Sequence, residues 1–514
     1  MKEDGLILVF DIGTTGVKCA AFKPDGEKAC AYTVNYDTVY PKPGWAEQKP
    51  EDYWRGIIDG TKVLLEKGNI SPQRISVIGL SGHMNGCIPV DANGDVLHPN
   101  IIHSDCRSQV EASYLKQIFD EWHFYSITGN RIDPHYTFTK ILWLKKNYSE
   151  IYDRTACFLN SKDYIGFKLT GRLGVTDFSD ASLTCMLNIN QGKWAEDVLS
   201  EAGIDVHKLP ELVPSFHVLG GLSKQAADIL GLKSGTPVVV GGGDGACATK
   251  GAGVVKKGQA YNYIGSSAWI STINDCPVLD KGARIFHFYD LDGRNYNVTG
   301  TVQCATIAYD WAIENIGGYE LEKVEARDRV FDIIEDLARQ APIGSNGVFF
   351  VPYMMGERTP HWDENTRGGF VGLTLYHGKS HLFRSVYEGV AFALKNVLDV
   401  FEENGLKVEA LTLLGGGAKS RLWNEIMCNV YGKPIRVHSF PGEATSLGAA
   451  IAAGVGVGIF ESFEDAARII RYQRSCQPVP SEVQAYQSYY RIYNMMYRQL
   501  KPIYDEIARL MGVD

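Results

Sequence analysis

Leu6-Ile7-Leu8-Val9-Phe10 runs into Asp11-Ile12-Gly13-Thr14-Thr15-Gly16, and Val17 to Phe22 follows at once. The first run reads as a short apolar strand and the last as a second strand; Pro24-Asp25-Gly26 then turns the chain into a third, Ala29 to Tyr36. A meander of this kind, ending its first strand in an acid and turning through glycines and hydroxyls, is the feature to look for elsewhere. It recurs. Gln259 to Tyr263 predicts a strand, Gly265-Ser266-Ser267 a turn and Ala268 to Thr272 a strand again. Two such units, each opening a half of similar length, indicate duplicated domains with a cleft between them.

The rest of the chain sets the class. Strand-like Ile75 to Leu80 and Val96 to His103 alternate with helical patterns over Arg107 to Glu121 and Thr139 to Asn147. Such alternation predicts an α/β architecture. With 514 residues the chain exceeds what one core usually holds. The expected domains are 1–253 and 254–514, joined where Lys250 to Gly253 and Lys256 to Gly258 supply polar, flexible chain. Composition is that of an ordinary globular protein, 45% hydrophobic and 22% charged. A net charge of −9 without a basic block argues against nucleic-acid or anionic-membrane surfaces. Eleven scattered cysteines with no C-x-x-C pair read as small buried groups in a reducing, cytoplasmic setting. Tyr486, Tyr489, Tyr490, Tyr493 and Tyr497 lie at helical spacing and predict a docked helix face, with Pro502 kinking or dividing that helix.

Several segments carry the residue types that phosphate chemistry requires. Gly13-Thr14-Thr15-Gly16 offers main-chain N–H groups and hydroxyls to a polyanion, and Asp11 beside it offers a carboxylate to Mg²⁺; an ordinary turn between strands has the same composition. No G-x-x-x-x-G-K-[ST] sequence occurs, so a P-loop is not expected. Val238-Val239-Val240-Gly241-Gly242-Gly243-Asp244-Gly245 places one acid in a glycine-rich bend. Asp244 is then either a helix N-cap or a general base aimed at an attacking hydroxyl. Leu413-Leu414-Gly415-Gly416-Gly417-Ala418 is either a tight strand-to-helix turn or bare backbone for an adenine ring. His83, Met84 and Asn85, with Asp105 and Arg107, stand after strand-like runs, where a polyhydroxylated ligand would need fixed donors and acceptors. His135, between Pro134 and Tyr136, reads as a loop histidine in preference to a pocket wall.

Together these segments resemble the FGGY family of carbohydrate kinases, from Leu6 to about Gly454. Gly368-Gly369-Phe370-Val371-Gly372-Leu373, His381-Leu382 and Ser385-Val386-Tyr387-Glu388 fit its second signature. Thr137, Lys140-Ile141, Trp143-Leu144 and Lys146-Asn147 nearly meet the first. Tyr40 to Trp54 looks like the family's N-terminal substrate segment, and Gly356-Glu357-Arg358-Thr359-Pro360-His361 is similar to xylulokinases.

The resemblance implies an actin-like ATPase fold of two RNase H-like domains with a catalytic cleft between them. It implies γ-phosphoryl transfer from Mg·ATP to a hydroxyl of a small sugar, polyol or sugar acid. Asp244 would be the base, with Asp11 and Asp244 reaching Mg²⁺ partly through water. Gly13, Thr14, Thr15 and Lys18, then Gly265, Ser266 and Ser267, would hold phosphates. Gly300, Thr301, Gly416, Gly417, Ala418 and Asn424 would line the nucleotide. His83, Met84, Asn85, Asp105, Arg107, His135 and Asp244 would face the acceptor. A homodimer fits the family, with neither nucleic acid nor membrane as partner.

The chain also departs from the pattern. Gly245 stands where an amide side chain is common, and His83 and Asn85 where xylulokinases carry Gln and His. His135 occupies a signature position that is usually aromatic, glycine, serine or methionine. All three departures fall on the acceptor side. The Asp244-Gly245 pair is similar to gluconate kinases and the Gly356 to Pro360 stretch to xylulokinases.

Overall fold

The computed structural model describes residues 5–318, 320 and 327–512. The chain forms two compact units. The first comprises Met1–Lys256, Ile273–Val298 and Glu443–Ile470; the second comprises Lys257–Thr272, Thr299–Gly442 and Arg471–Asp514.

The first unit is built on β1 (Leu6–Ile12), β2 (Gly16–Phe22), β3 (Lys28–Asn35), β4 (Ile75–Gly82), β5 (Val218–Gly221) and β6 (Pro237–Gly243). They lie in the order β5-β6-β4-β1-β2-β3. β1, β2 and β3 form an antiparallel meander, while β4 and then β6 add in parallel and β5 closes the edge antiparallel. Alternation along β1 feeds two cores. Leu6, Leu8, Phe10 and Ile12 pack with Tyr53, Ile57 and Leu64 of the helix Pro50–Lys67. Ile7 and Val9 face the other way, toward Ala449, Ala450 and Ile451 of the helix Ala444–Gly456. A sheet covered on both faces needs the near-continuous apolar runs seen here.

The second sheet has seven strands: β7 (Gln259–Ile264), β8 (Ala268–Asn274), β9 (Tyr296–Val302), β10 (Ala410–Leu414), β11 (Ile435–His438) and β12 (Tyr472–Cys476) follow in the order β9-β8-β7-β10-β11-β12, and outside β9 lies the edge strand Phe286–Tyr289. β7 pairs antiparallel with β8 and parallel with β10, β10 parallel with β11, and β11 antiparallel with β12. Each sheet thus sets a run of strands, three in the first and four in the second, beside two parallel ones and an antiparallel edge. This is the duplicated α/β arrangement of the actin-like fold.

Three local expectations change. The helix expected over Arg107 to Glu121 is two, Gln109–Ile118 and Glu121–Thr128, because Arg107 is held in an ion pair and the Asp120 carboxylate caps the second by accepting from His123 N. Of Val96 to His103 only Asn100–Ile101 is strand. Pro502 does not divide the C-terminal helix, which runs unbroken over Pro480–Met511. Its tyrosines dock: Tyr486 and Tyr493 are buried, and Tyr497 donates to Asp363 at 2.9 Å. No described helix is long and apolar enough to cross a membrane.

Candidate active site

The β1–β2 hairpin is fastened through its main chain. Gly13 N donates to Gly16 O at 3.0 Å, Tyr36 OH donates to Gly13 O, and Gln48 Nε2 donates to Thr14 O at 2.7 Å. A Cβ at Gly16 would stand 2.5 Å from Val34 O, so only glycine fits that corner. Thr14 and Thr15 sit at the tip, and Thr15 is exposed. Asp11 faces Lys18 across the strand pair and accepts from Ser446 Oγ at 3.0 Å. Burial raises the Asp11 carboxyl above its ordinary range, with Lys18 opposing. Lys18 lies 3.4 Å from Glu443.

The glycines before Asp244 are required by close packing. Gly241 has φ +67°, and a Cβ there would lie 1.7 Å from Leu80 O; a Cβ at Gly243 would meet Met84 at 2.6 Å. The bend is tied down further as Gly243 N donates to Ser179 Oγ at 3.0 Å. That hydroxyl donates to Asp177 at 2.5 Å, and Asp177 pairs with fully buried Lys162 at 2.9 Å. Asp244 is the first residue of the helix Asp244–Gly251 and Gly243 is its cap, so the N-cap reading does not hold. The helix axis is pinned by glycines that let two backbones touch. A Cβ at Gly251 would be 1.7 Å from Ala444 O, and one at Gly448 would be 1.8 Å from Cys247 O. Desolvation, reinforced by the charge of Asp11, raises the Asp244 carboxyl to about 7; the bond from Gly245 N at 2.8 Å opposes this. A carboxylate poised near neutrality suits proton acceptance from a hydroxyl.

Three loops of the first unit gather the remaining acceptor candidates. Fully buried Lys140 donates to the carbonyls of Asn85 at 2.7 Å, His135 at 2.7 Å and Ile102 at 2.9 Å, and burial presses its ammonium down to about 7. His83 is 1% exposed, and neither of its ring nitrogens has a hydrogen-bond partner. Desolvation, with His103 and Lys140 nearby, lowers it to about 3, so the ring is neutral and can donate at one nitrogen and accept at the other. A buried polar group left unpaired has its donor and acceptor available to a ligand or to water. Asn85 has φ +64°, a conformation asparagine tolerates better than histidine. His135 Nδ1 lies 2.5 Å from Asp133, leaving the ring 30% exposed.

Arg107 and Asp105 are occupied with each other. The guanidinium forks onto Asp105 at 2.7 to 2.9 Å, gives Nη1 to Glu47 at 2.7 Å, and lies 3.8 Å from the centre of the Trp45 ring. Asp105 also accepts from Ala46 N at 2.5 Å. Beside Asp244, the absent side chain of Gly245 has a counterpart: a Cβ there would meet the Phe288 ring at 3.2 Å, so the ring borders the space an amide would need.

The second unit repeats the hairpin. Gly265 N donates to Ser267 O at 2.9 Å, and the carbonyls of Gly265 and Ser266 accept from Thr306 N and Ala305 N at 2.9 and 2.8 Å. Gly300-Thr301 is braced by the stretch that includes Glu357 and Thr359. Thr359 N donates to Thr301 O at 3.0 Å, Thr301 N to Thr359 Oγ1 at 3.2 Å, and Gln303 N to Glu357 Oε1 at 3.0 Å. Glu357 is buried and desolvation raises it to about 8. A cavity of about 470 Å³ opens beside the glycine turn, lined by Thr306, Tyr309, Asp310, Glu335, Tyr387, Gly416, Gly417, Ser420 and Trp423. That volume and its aromatic wall suit a flat heterocycle. Glu335 fixes the turn by accepting from Ser420 Oγ at 2.7 Å and Leu422 N at 2.9 Å, and Asn424 Nδ2 donates to Ala418 O at 3.0 Å. Ala418 is fully buried, whereas Gly416 is open on its Cβ side.

Sequence reasoning did not single out Tyr309, Glu335, Lys162 or the clamp made by Lys140. Only Lys140 left a signal, its place inside a matched motif.

Residues 6–251 match the N-terminal domain, and residues 260–457 the C-terminal domain, of the FGGY family of carbohydrate kinases. The xylulose kinase of Bacillus subtilis is 31% identical over 500 residues, 97% of each chain. The gluconokinase of the same organism is 31% identical over 505 residues, 98% of this chain and 97% of that one. The solved xylulose kinase from Lactobacillus acidophilus superposes with a TM-score of 0.90 at 27% identity, covering 98% of this chain and 100% of its own.

Proposed function

Because the chain belongs to the FGGY family of carbohydrate kinases, we propose that it phosphorylates a neutral ketose or polyol, with a xylulose-like sugar as the favoured acceptor. Membership makes the protein a sugar phosphotransferase and implies ATP as the donor. One observation carries the choice of a neutral acceptor. The two cations buried among the acceptor loops are occupied, Arg107 by Asp105 and Glu47 and Lys140 by three carbonyls. A sugar acid would bring a carboxylate among these loops with neither cation free to meet it. Gly245 beside the base keeps sugar acids as the second reading, and gluconokinase is among the relatives.

Asp244 then takes the proton of the attacking hydroxyl, and His83 orients the acceptor through its unpaired nitrogens. Met84, Asn85 and His135 complete the acceptor loops, while Asp105 and Arg107 brace them. Gly13, Thr14, Thr15 and Lys18, and Gly265, Ser266 and Ser267, hold phosphate oxygens. Gly300, Thr301, Gly416, Gly417, Ala418 and Asn424 build the nucleotide side. Among the described residues no group of three His, Cys, Asp or Glu is arranged to hold a metal. The two oxygen-donor acids, with Asp11 already pushing Asp244 upward, fit a Mg²⁺ ion that keeps most of its waters. When bound, that ion would supply charge neutralisation to the phosphates. We further assign sequence domains 1–253 and 254–514, the second lending residues 273–298 and 443–470 to the first compact unit, a homodimer, and a cytoplasmic setting in keeping with eleven free thiols.

A coupled ADP-release screen over pentuloses, hexuloses, tetritols, pentitols and aldonates tests the reading. Turnover is expected with a neutral pentulose or pentitol. Turnover restricted to aldonates would replace the neutral acceptor by the acid.

A further inference from the structure

Lys140 lies inside a matched motif, and neither phosphoryl transfer nor the nucleotide uses it. Its side chain is completely buried, yet no carboxylate lies within ion-pair distance among the described pairs. An ammonium has three donors, and here each meets a main-chain carbonyl: Asn85 O at 2.7 Å, His135 O at 2.7 Å and Ile102 O at 2.9 Å. The three carbonyls belong to three separate loops. The first carries His83, Met84 and Asn85, the second leads to Asp105 and Arg107, and the third carries His135. Asp105, Asp133, Cys87 and Arg107 are the ionisable groups that act on the ammonium.

Carbonyls are weak partners for a buried charge when they come singly. Three converging on one ammonium hold each other at fixed separation, since each N–H direction is set by the other two. A compact, tetrahedral donor does this and a planar guanidinium does not. We propose that Lys140 is a positioning residue for the acceptor, fixing three acceptor loops to one another through their backbones and touching no substrate itself. The inference rests on the proposed function only in naming those loops as acceptor loops.

The test compares wild type with Lys140→Met, which keeps the stem and removes the charge, and Lys140→Arg, which keeps the charge and changes its geometry. Two readouts are taken on the full chain. Amide hydrogen exchange should speed up in residues 82–86, 102–107 and 133–136 of both variants, with the nucleotide turn at 415–420 unchanged. In steady-state assays with the best acceptor from the screen, acceptor KM should rise about tenfold or more in both, with kcat within about threefold and ATP KM within about twofold. Unchanged exchange in the three loops would overturn the clamp whether or not any sugar is phosphorylated. A kcat loss with acceptor KM unchanged, or rescue by arginine, would overturn the positioning role. A wild type that phosphorylates nothing would count against the proposed function, and the exchange result would still decide the clamp.

Discussion

The loop after β4 and the turn after β10 occupy equivalent places beside the two meanders, and they offer opposite surfaces. The first presents side chains, His83, Met84 and Asn85, on a backbone tied from below by Lys140. The second presents almost none: Gly416 and Gly417 line a cavity of about 470 Å³ walled by Tyr309, Tyr387 and Trp423. A small polyhydroxylated ligand needs many directed hydrogen bonds, whereas a flat heterocycle needs area and close backbone approach. One strand order therefore supports two kinds of recognition, and the difference lies in the few residues just beyond each strand's C-terminal end.

The largest expected effect separates chemistry from both surfaces. Asp244→Asn should lower kcat by about 10³-fold while nucleotide binding measured by calorimetry stays unchanged. The same variant should be more stable than wild type at pH 8. A carboxyl whose folded value, about 7, exceeds its unfolded one stabilises fully only below the unfolded value and loses that contribution as pH rises through 7. The gain should be about 2 kcal/mol, read as a rise in Tm at pH 8 that vanishes near pH 4. A destabilised variant would mean the activity loss reports misfolding.

Next in size, Thr306→Trp fills the cavity of the second unit. ATP KM should increase by about thirtyfold with acceptor KM unchanged, and an unchanged ATP KM would move the nucleotide elsewhere. The converse holds for His83→Ala. Acceptor KM should increase about tenfold, near 1.4 kcal/mol, with ATP KM untouched; equal effects on both substrates would erase the contrast between the two loops. The smallest effect is a pH shift. Acceptor-dependent rate should fall as pH drops through about 7, because protonated Asp244 cannot accept a proton. In Asp11→Asn the residual activity should show that midpoint lowered by about half a unit or more, since a like charge has been removed.

Much of the architecture was legible because it is written in local pattern. Apolar runs ending in Asp11 and Gly265, with glycine-hydroxyl turns between strands, placed both meanders to within a residue or two of the observed ends. The glycines before Asp244 were read as a bend, whereas the strand runs through Gly243 with a register shift between Val239 and Gly242, and the reason for each glycine was not legible. Leu80 O, on β4, and Met84, in the loop after it, press on Gly241 and Gly243 from far away in sequence. Arg107 shows the opposite case: its type suggested ligand contact, and only the fold brings Asp105, Glu47 and Trp45 to its guanidinium.

Residue type and order by themselves determined the strand meanders, their duplication, the acids at the bends and the match to a sugar-kinase pattern, because these depend on neighbours along the chain. Tertiary structure alone decided the protonation of Asp244, the idle nitrogens of His83, the three-carbonyl grip of Lys140 and the partners of Arg107. Burial and pairing arise from groups distant in sequence, and desolvation and hydrogen-bond geometry exist only once those groups are packed.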